Sequence, residues 1–355
     1  MKKFFVLLSV LLLLLAGCNK NETTGSGKIA DLNIHSFSQD ELDLIHMNVG
    51  QSNFSNSINL KCSIPGKMCY VRETNTLFYS YDDGLFQQNG DNVIRLLDEP
   101  AISLNFADGL LYFIIPEGDD NGWLYGKAYR MNMDSGKTEC IIEDDISKLS
   151  VYSDGIFYLQ SEVTEYGDGV FGVATSFFKC ALNGDDREQI DDFSFTTEND
   201  LCVSKIDGAV RVKDLQSGTI TEVAEEPNMA FNLSIYNNHI YYIRLNSGGS
   251  DTAAVVINLA DNSVTEYYRK GAYFEDYGFL NEKLCLYDIG SAFYLLENEG
   301  LVKYECSDTY NSIYSCGGKL YGLKPGGKLC ELHLEDDNGT KSVSETEIGG
   351  SKIEA

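Results

Sequence analysis

The feature that most constrains the fold is a repeat of about 40 residues that covers most of the chain. Each copy opens with a turn pair that tolerates positive φ, and an apolar, aromatic run follows at once, as in Leu111-Tyr112-Phe113 after Asp108-Gly109. Seven copies at steps of 34 to 46 residues are typical of units that fold only when stacked on their neighbours. The seven pairs are Thr74-Asn75, Asp108-Gly109, Asp154-Gly155, Asn199-Asp200, Asn237-Asn238, Asn281-Glu282 and Gly317-Gly318.

A second series of turns lies between the first, so each repeat predicts two hairpins and therefore four strands. Residues entering these turns often alternate, as Ile257 and Leu259 do, which is typical of strands packed on one face. Four-stranded units of this length predict an all-β fold, a β-propeller of about seven blades. Six or eight blades stay open, because the first and last copies are less regular. The second turns are Asn89-Gly90, Ser135-Gly136, Asn183-Gly184, Ser217-Gly218, Asp261-Asn262, Asn298-Glu299 and Asn338-Gly339.

The ring must also close between its two ends. Ile58 and Leu60 alternate with polar neighbours in residues 57–61, so this segment is expected to add an outer strand to the last blade.

The N-terminus resembles that of a bacterial lipoprotein. Lys2 and Lys3 precede an apolar run at residues 4–15, and Leu15-Ala16-Gly17-Cys18 matches the lipobox. The resemblance implies a signal peptide at 1–17, lipidation of Cys18, and a protein anchored in the cell membrane and facing outside the cytoplasm. We expect a lipidated tether at 18–53, the propeller at 54–348 and a short tail at 349–355. A capping-box pattern from Ser38 to Glu41 predicts a short helix inside the tether.

The charge of the chain argues against nucleic acid as a partner. With 27 basic and 54 acidic residues the net charge is −27, which would repel a phosphate backbone.

The cysteines form no CxxC pattern and several stand at apolar strand positions, so they are expected to be buried hydrophobic residues. The alternative for one pair is a disulfide between Cys306 and Cys316 across neighbouring strands.

The repeated sequence pattern of the blades resembles that of the low-density-lipoprotein-receptor-type propellers common in bacterial lipoproteins. It is carried by a turn before Leu/Ile-Tyr-Tyr, and by Tyr129-Arg130-Met131-Asn132-Met133-Asp134 before a glycine. The resemblance spans most of the mature chain, and it implies a fold and a location rather than a reaction.

Propeller topology predicts the binding face. We call the four strands of each repeat A to D in chain order. Because neighbouring strands are antiparallel, the A–B and C–D turns lie on one face of the ring, and the B–C and D–A connections lie on the other. The longest B–C segments are residues 116–126, 162–172 and 246–251, and long loops on a rigid scaffold usually carry binding groups. We expect a ligand site near blades 2 and 3, at Asp119, Asp120, Trp123, Tyr125, Tyr166, Asp168 and Phe171.

Aromatic rings beside carboxylates in these loops suit stacking on a sugar, and the carboxylates suit binding of Ca²⁺. No cofactor motif occurs in the sequence. The alternative is that the loops are solvated acidic segments whose aromatics pack on the next blade. The four histidines are scattered without zinc spacing, and no nucleophile elbow, P-loop or dinucleotide fingerprint occurs. The sequence favours a non-enzymatic surface lipoprotein that binds an extracellular protein, peptide or glycan. A propeller hydrolase or lyase acting on extracellular polysaccharide, and a scaffold of an envelope assembly, are the alternatives.

Overall fold

The computed structural model describes a large part of the chain from residue 37 onward. The predictions for residues 1–17, Cys18, residues 57–61, Tyr166, Asp168 and residues 349–355 fall outside the described residues. The described residues are 37–45, 54–56, 66–81, 83–90, 92–120, 123–152, 155–165, 171–190, 197–198, 201–214, 217–246, 251–288, 292–298, 300–316, 318–325, 328–337 and 339–348.

These residues form seven consecutive four-stranded antiparallel units, which confirms the predicted β-propeller. Before them lie one helix, α1 (Gln39–Ile45), and one short strand, β1 (Phe54–Asn56). Blade 1 contains β2 (Met68–Val71), β3 (Thr76–Tyr81), β4 (Gly84–Asn89) and β5 (Asn92–Leu97), with a 3₁₀ turn at Arg72–Thr74. Blades 2 and 3 contain β6 (Ile102–Ala107), β7 (Leu110–Asp120), β8 (Trp123–Asn132), β9 (Thr138–Tyr152), β10 (Gly155–Glu165), β11 (Phe171–Cys180) and β12 (Glu188–Ile190).

The second half of the ring has the same order. Blade 4 contains β13 (Thr197–Glu198), β14 (Leu201–Ile206), β15 (Ala209–Asp214) and β16 (Ile220–Glu225), and blade 5 contains β17 (Ala230–Tyr236), β18 (His239–Leu245), β19 (Thr252–Asn258) and β20 (Val264–Tyr268). Blade 6 contains β21 (Phe274–Leu280), β22 (Lys283–Asp288), β23 (Ala292–Glu297) and β24 (Gly300–Glu305). Blade 7 contains β25 (Ser312–Cys316), β26 (Lys319–Leu323), β27 (Leu329–Asp337) and β28 (Thr340–Glu347).

Three predicted turn pairs that lie wholly within the described residues, Asp108-Gly109, Asn237-Asn238 and Asn281-Glu282, join directly paired strands as expected. Asn237 and Asn238 adopt φ values of 49° and 61°, and Tyr236 pairs directly with His239 across this two-residue turn. Two successive positive φ values match the right-handed twist of the flanking strands, and asparagine tolerates them better than most residues.

The core lies between the blades. On β18 of blade 5, Tyr242 packs with Val203 of blade 4, while the next residue, Ile243, packs with Phe274 of blade 6. Successive side chains of a strand point to opposite faces, so each sheet is covered on both sides by its neighbours. A single blade would leave both of these apolar faces in water.

Among the described strands, the ring closes without exchanging a strand, because blade 7 takes its four strands from one continuous stretch of chain. The outer strand predicted at residues 57–61 lies outside the described residues and stays a prediction. Closure comes from side chains, because Tyr79 and Phe86 of blade 1 share one apolar cluster with Tyr314 and Tyr321 of blade 7. The short β1 instead pairs with β6, the first strand of blade 2.

Polar side chains on the first strands connect neighbouring blades near the axis, where these strands contact one another. Asn105 of blade 2 donates from Nδ2 to the carbonyl of Leu149 at 3.2 Å and accepts from the Val151 amide at 3.2 Å, both in blade 3. A register shift between Ile102 and Asn105 marks a β-bulge in this strand. The side-chain amide thereby satisfies backbone groups that the next blade leaves unpaired.

A second set of these contacts links blades 5, 6 and 7. Asn232 donates to the carbonyl of Glu275 at 2.9 Å, and the Ile313 amide donates to the Asp276 carboxylate at 2.9 Å. Asp276 is only 1% exposed, so its carboxylate is held in the protein interior by hydrogen bonds from two other blades. These inter-blade contacts have no counterpart in the sequence analysis.

The predicted helix is confirmed as α1, whose first turn closes with the Leu42 amide donating to the Ser38 carbonyl at 3.0 Å. It packs on the propeller, because Ile45 is fully buried and its carbonyl accepts from Gln87 Nε2 of blade 1 at 3.4 Å. A methyl group placed on Gly136 would lie 2.5 Å from the ring of Phe37. Residues 37–45, assigned to the tether, thus pack against blades 1 and 2. Among the described helical residues, none belongs to a helix long and apolar enough to cross a membrane.

The seven cysteines with described side chains are free thiols. Cys306 is one of these free thiols, so the alternative of a Cys306–Cys316 disulfide is wrong. Its Sγ lies 3.5 Å from the Tyr310 hydroxyl oxygen. Burial raises the pKa of the Cys69, Cys180 and Cys285 thiols, which keeps them protonated. They behave as the buried hydrophobic residues that the sequence predicts.

One ion pair in blade 5 predicts a pH effect on stability. Arg244 donates two hydrogen bonds to Glu266, at 2.7 and 2.6 Å, and these hold the pKa of Glu266 below its usual value of 4.5. A carboxyl with a lowered pKa in the folded state stabilises the fold above 4.5, and that contribution is lost as the pH falls below it. We expect Glu266→Gln to lose less stability than the wild type between about pH 5 and pH 3, measured by urea unfolding. Glu222→Gln, at a looser pair 3.6 Å from Arg211, is the control, and equal acid sensitivity of Glu266→Gln and the wild type would contradict the prediction.

Candidate functional site

In the two long B–C segments of blades 2 and 3, the described residues are strands rather than loops, which corrects the sequence-based description. In blade 2, β7 and β8 run 11 and 10 residues and stay paired to Asp120 opposite Trp123. In blade 3, β10 and β11 have the same lengths and stay paired to Glu165 opposite Phe171. We call residues 116–120 with 123–126 the blade 2 ribbon, and residues 161–165 with 171–175 the blade 3 ribbon.

The predicted site residues fall on these ribbons in part. Asp119, Asp120 and Trp123 stand at the tip of the blade 2 ribbon, and Tyr125 pairs with Gly118 one step below. Phe171 stands at the end of the described part of the blade 3 ribbon, while Tyr166 and Asp168 lie outside the described residues. The structure thus groups the four blade 2 residues on one hairpin.

A single strand joins the bases of the two ribbons. Ile146 of β9 pairs with Gly126 on the blade 2 side and with Gln160 on the blade 3 side, so β9 is the last strand of one blade and the first strand of the next. The eight strands β1 and β6 to β12 therefore form one continuous sheet. Two projecting hairpins that share a strand are fixed relative to each other at their bases.

The surface at the base of the ribbons is mainly acidic. Glu143 and Asp145 of β9 are exposed, and Glu117 forms an ion pair with Lys127 at 3.1 Å. This hydrogen bond raises the pKa of Lys127, which keeps the lysine charged. Arg187 donates hydrogen bonds to Asp144 of the blade 2 half of β9 and to Gln160 of blade 3, and its guanidinium lies 4.0 Å from the ring centre of Phe178. A polyanionic ligand would be repelled from such a surface.

A cleft of about 290 Å³ lies where blade 7 meets blade 1, and we call it the seam cleft. Leu77 and Tyr79 of blade 1 and Tyr321 of blade 7 are buried residues that line its base. Tyr79 stacks on Phe86 with ring centres 5.4 Å apart. Burial, with a smaller effect from Asp83, raises the pKa of Tyr79 to about 12, so its phenol stays neutral.

The walls of the seam cleft are polar. On the blade 1 side, Tyr70 donates from its hydroxyl to Asn75 Oδ1 at 2.8 Å, and Gln88 lies nearby. On the blade 7 side, Lys319 Nζ lies 3.0 Å from the Glu331 carboxylate. Asn75 belongs to the A–B turn of blade 1, so the cleft reaches the face opposite the ribbons.

Sequence analysis missed this cleft because its two walls come from opposite ends of the propeller. Residues 70–93 supply one wall and residues 319–348 the other. Each is an ordinary strand or turn in its own blade, and only ring closure brings them together. Over the described part of the chain, no group of three or more His, Cys, Asp or Glu side chains is arranged to hold a metal ion.

The fold of this chain is similar to the β-propellers of several solved structures. The fold is similar to Kluyveromyces lactis Hsv2 carrying a Gly-Ser linker in place of loop 6CD, with a TM-score of 0.53 and 14% identity, covering 80% of this chain and 97% of that one. For Kluyveromyces marxianus Hsv2 the TM-score is 0.51 at 13% identity, with coverage of 80% and 97%. A prolyl endopeptidase structure matches with a TM-score of 0.53 and 9% identity over 82% of this chain and 51% of that one. At such identities the likeness establishes the β-propeller fold alone. By sequence, no family model and no curated protein matches the chain.

Proposed function

We propose that this protein is a lipid-anchored, non-catalytic binding protein on the outer side of a bacterial cell membrane. Its ribbon face binds an extracellular protein, peptide or glycan. The observation that carries the proposal is the pair of long hairpins on adjacent blades, which project from one face and share β9 at their base.

Rigid ribbons suit binding better than loose loops do. A surface already ordered before contact loses little conformational entropy on binding, so more of the contact energy appears as affinity. The ladder from Pro116–Gly126 to Asp120–Trp123 orders the backbone of the predicted blade 2 residues in this way. Aromatic side chains next to carboxylates, as this stretch carries, are common in protein and glycan interfaces.

The lipobox around Cys18 supports the anchor, as does the resemblance to receptor-type propellers of bacterial lipoproteins. Eighteen residues lie between Cys18 and Phe37, where the described structure begins. A chain of this length reaches at most about 65 Å when fully extended. The anchor therefore allows the propeller to stand clear of the lipid head groups.

Trimming the ribbons tests the binding function. Residues 117–125 are replaced with Asn-Gly in one variant and residues 162–174 in another, so that each blade keeps a tight hairpin. We expect each variant to capture at least about 10-fold less partner from cross-linked cell envelopes, or to lose its glycan-array signal. The control replaces residues 336–341, the tip of the C–D hairpin of blade 7, which lies on the opposite face.

Two outcomes would overturn the binding proposal. One is full capture by both trimmed proteins, and the other is the absence of any ligand for the wild type in both assays. The anchor is tested separately by Cys18→Ser, which should abolish labelling with a radioactive fatty acid and move the protein from the membrane fraction to the medium. Unchanged fractionation of this variant would overturn the anchor and leave the binding function standing.

A further inference from the structure

We propose that the seam cleft is a second binding site, specific for one or two uncharged sugar units. This site is distinct from the ribbon face and does not depend on the function proposed for it. The argument rests on the size of the cleft, its lining and its charge.

The size of the cleft favours a small ligand. About 290 Å³ is at the low end of pockets that hold small molecules, and it suits a monosaccharide or a short disaccharide rather than a folded segment of a protein.

The apolar part of the lining suits the C–H face of a sugar ring. Tyr70 is half-buried at the wall, and Tyr79 and Tyr321 form the base. Val93 is 39% exposed at the rim, so an apolar surface is already open to water there. Tyr79 and Tyr321 are buried, so the half-buried ring of Tyr70 supplies the flat, apolar contact to such a ligand while its hydroxyl donates to Asn75.

The polar part of the lining matches hydroxyl groups. A sugar hydroxyl both donates and accepts, and the walls offer both roles: the amides of Asn75 and Gln88 donate and accept, Lys319 donates, and Glu331 and Glu347 accept. These groups already have partners within the protein, and a sugar hydroxyl can add a further hydrogen bond to them, which a purely apolar ligand cannot.

The lysine that lines the cleft, Lys319, is already paired with a carboxylate, so it offers no free positive charge to an anion. Lys319 pairs with Glu331 at 3.0 Å, and Lys328 pairs with Glu347 at 3.3 Å, so the walls are close to neutral. The protein as a whole carries −27, which repels phosphorylated or sulfated sugars. An uncharged sugar avoids this repulsion.

The experiment is a titration of the complete propeller with neutral mono- and disaccharides, in which calorimetry and NMR of the sugar measure the binding. Glucose 6-phosphate serves as the anionic probe. We expect a neutral sugar to bind with a Kd between about 10 µM and 5 mM, and Tyr70→Ala and Glu331→Gln each to weaken it at least about 10-fold. Glu335→Gln, an exposed carboxylate further along the same strand, should stay within about twofold of the wild type.

The ribbon-trimmed variants separate the two sites. They should bind the neutral sugar as the wild type does, even if they have lost their envelope partner. The cleft assignment is overturned if no neutral sugar binds at about 20 mM, or if glucose 6-phosphate binds more tightly than glucose. It is also overturned if Tyr70→Ala has no effect, or if trimming the ribbons abolishes sugar binding.

Discussion

Replacing Phe86 with alanine is expected to lower the free energy of unfolding by about 3–5 kcal/mol, as truncation of a buried phenylalanine does in other cores. Phe86 is fully buried in blade 1, stacks on Tyr79 with ring centres 5.4 Å apart, and belongs to the cluster that contains Tyr314 and Tyr321 of blade 7. Because side-chain packing closes the ring at this point, the cavity would weaken the contact between the two ends of the propeller. Urea unfolding followed by circular dichroism measures the change.

Tyr268→Ala provides the control for this variant. Tyr268 is an aromatic residue on the outer strand of blade 5 and is 50% exposed, so its truncation should cost less than about 1 kcal/mol. Equal midpoints of unfolding for the two variants would show that the seam cluster contributes little to closing the ring.

The second large effect is expected at Asp276, which is 1% exposed in the first strand of blade 6. Its carboxylate accepts from the Ile313 amide of blade 7 at 2.9 Å and from Asn232 Nδ2 of blade 5 at 3.4 Å. Asp276→Ala removes both acceptors and leaves a buried amide without its bond, so we expect a loss of about 3 kcal/mol. The same variant should speed hydrogen exchange of the Ile313 amide, which NMR detects.

Asp276→Asn is the matched variant, because its side-chain carbonyl can still accept from Ile313. It should lose less than half as much stability as the alanine variant. If the two substitutions cost the same, the charge or the shape of the residue would matter and the inter-blade hydrogen bond would not.

The parts of the fold that follow local rules could be predicted from the sequence. The pair Asn237-Asn238 requires a tight turn wherever it stands, and the alternation of Ile257 with its neighbours requires a strand with two different faces. Repeated seven times, these local signals lead to the blade count. The helix from Gln39 was predictable for the same reason, since its capping residues are adjacent in sequence.

Features that depend on neighbouring blades were not predictable. Residues 116–126 contain Gly118, Gly126 and several acids, a composition typical of a loop, yet the ladder continues to Asp120 opposite Trp123. The role of Asn105 depends on a bulge and on the unpaired backbone of blade 3, and neither is visible in a single strand. Tyr70 and Glu331 form one cleft only because the ring closes between them. For the proposed binding residues, the sequence predicted a region of the surface, and both their role and their ligand stay predictions.

The closure of the ring without strand exchange has a consequence for how such a gene can be rearranged. Tyr70 and Ile348, near the two ends of the propeller, line the same cleft, and among the described strands no ladder joins β12 to β13. A circular permutant that begins at blade 4, with the former ends joined by a short linker, would keep every described strand pairing. The start point along the gene can therefore change while the cyclic order of the blades is kept. If the proposed lipid anchor is placed before the new first blade, a different side of the ring would face the membrane.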